Sequence, residues 1–475
     1  MNVFSRFLVD PALLFVLLLA GSVQARAEIM VASLADLARV AAQSGQTVRM
    51  KPGLYRLAEE LPLCEISERR KRGEFHLFTF SGSKNTFHLE GVTIEVDTAL
   101  RKALRPPIHT DEFLVSGNEN TLEGLTIQEI GTGTSMGGAA LGITGADNKI
   151  RNCTLHVCGS FPYGYGDLFG KGGSDVIAPL KKSGVHITGN GTTLFGCKLY
   201  LRSFGHGYYV QEDAANVRFE NCSVEGAMRA TSEILAETAG PAHDAGFRTV
   251  IVNRQGENKI LPGYMKSLSE DGFRTYGQHP NLSFKNCTAR NMRGGFELRT
   301  KTAVHLDNCT AVGNERGFWV SSGAVVQNCQ GDAQYGPLLI VEGDNASVEL
   351  TLLPTESQIT VHALAILEGN QHRVTIKPAP AGERSRPLPV LFGYGSPMMG
   401  DGMAPIPERS ARNLLLRNES AMPVRIGTKA SGGEVVSRGP VLENAGKDVK
   451  VKPLTPAPAN EANGPTQSPK TPPKT

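Results

Sequence analysis

The chain has 475 residues, 40% of them hydrophobic, so it can bury a substantial core as one long domain or two to three ordinary ones. Its 49 basic and 46 acidic residues leave a net charge of +3, too balanced for a nucleic-acid binder. With 53 glycines and 6% aromatics the chain is rich in turns, which suits many short strands better than a helical bundle.

At the N-terminus, Arg6, the mostly apolar stretch Leu8–Ala20 and the small residues of Val23–Ala27 read as a secretory signal peptide over residues 1–27. Asp10 and Pro11 interrupt the run too early for a membrane anchor. No later segment reaches membrane-spanning length, so a soluble, secreted or periplasmic product is expected, with no membrane contact after signal cleavage. Ser33–Ser44 comes next, with an N-cap serine and apolar residues at helical spacing.

A repeat then takes over. Asn-Cys occurs at Asn152-Cys153, Asn221-Cys222, Asn286-Cys287, Asn308-Cys309 and Asn328-Cys329. Gly196-Cys197 is a variant, and Leu89–Ile94 and Leu122–Ile127 carry the same phrase with Gly in place of Cys. Asn286 to Asn308 spans 22 residues and Asn308 to Asn328 spans 20, and the wider gaps elsewhere read as insertions into a solenoid. Each copy holds short alternating β-prone runs, such as Ser283–Lys285, Cys287–Ala289 and Phe296–Arg299. Three strands and three turns per copy make one coil of a parallel β-helix, stacked about 4.8 Å above the last. Asparagines at one turn can then hydrogen-bond along the stack, and their cysteine neighbours point inward as small hydrophobes. Six of the eight cysteines sit at that position, so a buried, reduced column is expected rather than disulfides, with Cys64 and Cys158 outside it.

The helix, the segment Gly45-Gln46-Thr47-Val48-Arg49-Met50-Lys51-Pro52-Gly53-Leu54-Tyr55 and the phased coils together resemble the pectate-lyase-like superfamily over about residues 30–345. The resemblance implies an all-β, right-handed parallel β-helix solenoid with an N-terminal capping helix over residues 28–345. It also implies an exported protein acting on carbohydrate, chiefly as a polysaccharide lyase or glycoside hydrolase. Beyond Asp344 the phase fades, and 346–451 read as final irregular coils or a small β cap. Lys452–Thr475, Pro-rich with almost no apolar side chains, is expected to be a disordered tail.

Inward positions of such a coil are committed to the stack, so chemistry belongs to outward positions and inserted loops. Strand alternation puts His186, Tyr209, Arg274, Glu297 and Trp319 in one outward column, beside Gln211, Tyr276 and Arg299. His206, Asp271 and Arg316 come just ahead of the strand glycines. The insertions 161–182, with the Lys181-Lys182 pair, and 229–270 emerge at the same coils and read as site walls. The competing reading is a solvated face with charge pairs such as Glu297–Arg274, but His, Tyr, Arg and Trp are the types that sugar sites use.

Two chemistries fit a polysaccharide or oligosaccharide partner. A lyase on a uronate polymer needs a base, an acid and a cation: His206, His186, Tyr209 and Lys182 are candidates for the first two, Arg274 and Arg299 for the third. A hydrolase needs two carboxylates, and Asp271 and Glu297 lie one coil apart. Trp319, Tyr276, Gln211 and Arg316 are candidate substrate contacts. Gly205-His206-Gly207 resembles the Gly-His-Gly of polygalacturonases, but no Asp-Asp pair precedes it, and the Arg-x-Lys of Arg299-Thr300-Lys301 comes several coils late. No dense acidic cluster of the calcium-binding kind stands out, so no metal is assigned and Ca2+ is left open. The non-catalytic alternative is a carbohydrate-binding or surface structural β-helix. It would have shorter loops and plainer faces.

Overall fold

The computed structural model describes residues 27–455 apart from 135–136, 172–174, 356–358, 379–385 and 395–408. The signal-peptide expectation therefore lies outside the described residues, apart from Ala27, as does most of the expected tail. Ser33 caps the helix Leu34–Ala41 by accepting from the Asp36 backbone N–H at 3.1 Å. That helix buries Leu34, Leu37, Val40 and Ala41 against the start of the solenoid. Two further helices, Leu63–Arg72 and Thr98–Leu104, interrupt the early coils, and no repeat marks them in the sequence. No helix among the described residues is long and apolar enough to cross a membrane.

The rest is the right-handed parallel β-helix expected from the repeat. One strand of each coil builds a 13-stranded parallel sheet, and the other two, meeting at the Asn turn, build a 23-stranded sheet. Coil 282–298 is typical: Leu282–Lys285, a turn at Asn286, Thr288–Arg290, then Gly294–Leu298. Asn152, Asn221, Asn286, Asn308 and Asn328 all have φ between 52° and 55°, the left-handed region that asparagine and glycine tolerate best. Asn308 Nδ2 donates to Asn286 Oδ1 at 2.8 Å, and Asn286 Nδ2 to Asn221 Oδ1 at 2.9 Å. Gly91, Gly124 and Gly196 hold φ of 76°, 78° and 65° at this turn. Register corrects one alignment: Thr93, Thr126 and Thr154 are partners, so Gly91 and Gly124 replace the asparagine, while Val92 and Leu125 replace the cysteine. The reason is conformational, since a residue without Cβ suits the positive φ of the turn.

All eight cysteines are free thiols, and the six of the column are buried. Beside them runs an aromatic ladder, with the rings of Tyr208, Phe273, Phe296 and Phe318 stacked at centroid distances of 5.2, 4.8 and 5.0 Å. Beyond 345 the coils continue in register through Ser347–Leu352, Arg373–Lys377, Leu415–Asn418, Glu434–Ser437 and Lys450–Pro453. The last of these reaches two residues into the expected tail.

Candidate active site

The outward column is a ladder in register: His186 pairs with Tyr209, Tyr209 with Arg274, Arg274 with Glu297, and Glu297 with Trp319. The column is not solvated. Tyr209, Arg274, Glu297 and Trp319 are all buried. The two insertions fold over part of the face and pack on each other through a small core of their own, including Leu168, Phe169, Ile234, Ala242 and Ile260. Their polar residues reach down to the sheet. Asp167 of the first insertion pairs with Lys266 of the second and, at 3.2 Å, with Arg293 of the solenoid, while Lys266 reaches Glu315 at 3.0 Å.

Below this cover lies a network of buried charge. Arg293 binds both oxygens of Asp271, at 3.1 and 2.8 Å, and Glu270 at 3.3 Å. Arg316 bridges Asp271 at 3.2 Å and Glu297 at 2.7 Å, and Arg274 pairs with Glu297. Burial alone would push the Asp271 carboxyl up, but Arg293, His206 and Arg274 hold it well below the usual carboxylate range. Asp271 and Glu297 are thus clamped by guanidinium groups and enclosed, out of reach of a sugar on the surface. Trp319 is likewise covered, with the Arg299 and Arg316 guanidinium groups 4.5 and 5.1 Å from its ring.

A cleft of about 400 Å3 opens beside this network, lined by His206, Tyr209, Gln211 and Tyr276 together with Lys181 and Glu270. His206 Nε2 lies 2.8 Å from the Tyr276 hydroxyl. The same ring stands between two carboxylates, with Nε2 3.4 Å from Glu270 and Nδ1 3.4 Å from Asp271. The Arg274 guanidinium sits 4.4 Å from the centre of the Tyr276 ring. Tyr276 is 39% exposed, so this phenol meets the solvent while its partners lie beneath it. Burial raises its pKa, with Arg274 pulling the other way, which leaves a neutral phenol at neutral pH. Lys181, 30% exposed, points into the cleft with Nζ 2.9 Å from Glu270. Burial would raise Glu270, yet His206, Lys181 and Arg293 bring it down to about 2, so it is a permanent anion.

The chain has no family-model match, and no curated protein matches it. Solved structures similar in fold include "complex structure of alginate lyase AlyF-OU02 with G6", at 10% identity over 88% of this chain and 86% of that one, TM-score 0.49. A "PL6 alginate lyase complex with trisaccharide" is 11% identical over 88% of each chain, TM-score 0.45. An endo-xylogalacturonan hydrolase from Aspergillus tubingensis is 11% identical over 93% of this chain and 99% of that one, TM-score 0.31. Likeness at this level is likeness of fold. It assigns no chemistry to any residue here.

The remaining sequence-derived residues divide by position. His186 lies behind Tyr209, stacked on it at 4.6 Å, with Nδ1 3.0 Å from Asp111. Lys182 points away from the cleft and is fully buried between Glu112 at 2.5 Å and Glu129 at 3.1 Å. Arg299, 37% exposed, faces a separate groove farther along the solenoid. Sequence reasoning named the Lys181-Lys182 pair but gave a role only to Lys182, and it missed Glu270 and Arg293. Lys181 and Glu270 are direct neighbours of Lys182 and Asp271, and successive side chains of extended backbone point to opposite sides, so sequence position alone did not show which of each pair meets the cleft. Among the described residues, His88, Glu90 and Glu123 bring ligand atoms within 4.8 Å of one another, but on strands and turns of the other sheet.

Proposed function

We propose that this protein is an exported polysaccharide lyase that cleaves a uronate-containing chain by β-elimination, with Tyr276 as the reacting group. The observation that carries the reading is the hydroxyl of the part-exposed Tyr276, 2.8 Å from His206 Nε2, with the Arg274 guanidinium against its ring, in a cleft that also presents Lys181. Lys181 is the accessible cation and would neutralise the uronate carboxylate, which acidifies the neighbouring C–H. For His206 to take the phenolic proton on Nε2, its ring proton must sit on Nδ1, 3.4 Å from the Asp271 carboxylate. That proton takes the place of the bond that Nδ1 accepts from the Asp271 backbone N–H at 3.4 Å. The resulting imidazolium is held by Glu270 and Asp271. The phenolate, stabilised by Arg274, removes the proton α to the carboxylate. Those electrons form the C=C bond and expel the glycosidic oxygen at the adjacent carbon. The oxygen takes the proton from Tyr276, and His206 returns the first proton to the phenolate. Atoms balance with no water consumed.

The enclosure of Asp271 and Glu297 argues against the hydrolase reading, which needs both carboxylates at the scissile bond. The test is to incubate the purified protein with acidic and neutral polysaccharides while following unsaturated-uronate absorbance and reducing ends together. Both rise if the reading is right. Reducing ends without absorbance establish hydrolysis instead, and retention on a polysaccharide gel without either signal establishes a binding module.

A further inference from the structure

Tyr209 lines the cleft but takes no part in the proton transfers at Tyr276. Its ring is held by its neighbours. His186, anchored 3.0 Å from Asp111, stacks on it at 4.6 Å, and the His206 ring lies 5.7 Å away. His206 therefore contacts both phenols of the cleft, since the Tyr276 ring is 5.5 Å from it. Tyr209 is 7% exposed, and its hydroxyl forms no hydrogen bond with any described residue. Unlike Trp319 Nε1 farther along the column, that hydroxyl is not sealed from solvent; it opens on the cleft. A buried tyrosine normally finds a partner for its O–H, and here only the cleft can supply one. Burial raises its pKa, and Asp111, Tyr276 and Glu270 add to the shift, so the phenol keeps its proton and serves as a donor rather than a base. The cleft needs such a donor. Lys181 lies 2.9 Å from Glu270, an anion at neutral pH, so a uronate carboxylate approaching Lys181 meets a cation whose charge is largely offset. Tyr209 brings no bonded anion with it.

We propose that Tyr209 is a further catalytic residue, whose hydroxyl donates to the uronate carboxylate beside Lys181. The bond strengthens as negative charge builds on the carboxylate oxygens during removal of the α proton. The proposal rests on the reading of the cleft as a uronate-cleaving site. No O–H bond breaks at Tyr209, so the proton transfers among Tyr276, His206 and the substrate are unchanged.

Tyr209→Phe keeps the ring and its stacking on His186 and removes only an oxygen that no described residue binds, so its denaturation midpoint should match the parent's. On an acidic polysaccharide its kcat should fall about a hundredfold. Binding is measured by calorimetry in a Tyr276→Phe background with two probes, an oligouronate and the same oligosaccharide with its carboxyl groups reduced to alcohols. Adding Tyr209→Phe should weaken the oligouronate about tenfold, a difference of about 1.4 kcal/mol, and leave the reduced chain unchanged. An unchanged kcat, an unchanged oligouronate affinity, or equal weakening of both probes overturns the proposal, while a parent protein that cleaves uronate keeps the cleft reading. A selective loss of oligouronate affinity in a parent protein that cleaves no uronate overturns the cleft reading, and the bond from Tyr209 to a carboxylate stands as binding alone.

Discussion

The strands of the 13-stranded sheet have two faces built on opposite principles. The inner face stacks Tyr208, Phe273, Phe296 and Phe318, one ring per coil, with no charge. The outer face, one residue along each strand, carries Tyr209, Arg274, Glu297 and Trp319, nearly as buried but with charges held by Arg293, Arg316 and Asp271. Burying apolar rings drives folding, whereas a buried ion pair roughly breaks even against apolar residues of the same shape. The outer network is therefore better explained by what it holds in position than by stability. It fixes Glu270, Asp271 and Arg274 around His206 and Tyr276.

The two faces should respond differently to substitution. Phe296→Ala removes a fully buried ring from the inner ladder and should cost about 3–5 kcal/mol in chemical denaturation, while the folded fraction keeps its kcat. Arg293→Ala should cost about 3 kcal/mol by leaving Asp271, Glu270 and Asp167 without their shared cation. It should also lower kcat, and an inner-face variant of equal instability should not. If both variants lose activity in proportion to stability alone, the division between the faces is wrong.

Acid offers a milder probe. The folded pKa of Glu270 is depressed to about 2, below its ordinary value of 4.5, so the unfolded chain binds more protons between those values. The stability Glu270 contributes is present above about pH 4.5 and is lost as pH falls toward 2. The denaturation midpoint of Glu270→Gln should therefore vary less with pH across that window than the parent's. The smallest effect belongs to the turn ladder. Asn308→Ala, at φ 54°, should cost about 1 kcal/mol, and Asn308→Gly less, since glycine tolerates the left-handed region without strain.

The inner face was the legible one. Its period is written in Asn-Cys pairs and aromatic positions that recur whatever the loops do, and alternation then placed His186, Tyr209, Arg274, Glu297 and Trp319 in a single column. Their burial was not legible, because it depends on how residues 161–182 and 229–270 fold over them, and those insertions have no repeat. For the same reason Lys182 looked as available as Lys181, and Asp271 more prominent than Glu270. Which neighbour meets the cleft is decided by long-range packing. The helices Leu63–Arg72 and Thr98–Leu104 were missed because they lie in insertions before the Asn-Cys period is established.

The most direct test of the central claim compares Tyr276→Phe with the parent protein on an acidic polysaccharide, following unsaturated-uronate absorbance. Removing this hydroxyl, with its hydrogen bond to His206, should cost only about 1 kcal/mol of stability and reduce kcat by about a hundredfold or more. Full activity in a stably folded Tyr276→Phe protein would contradict the account, because the cleft would then be working without the group placed at its centre.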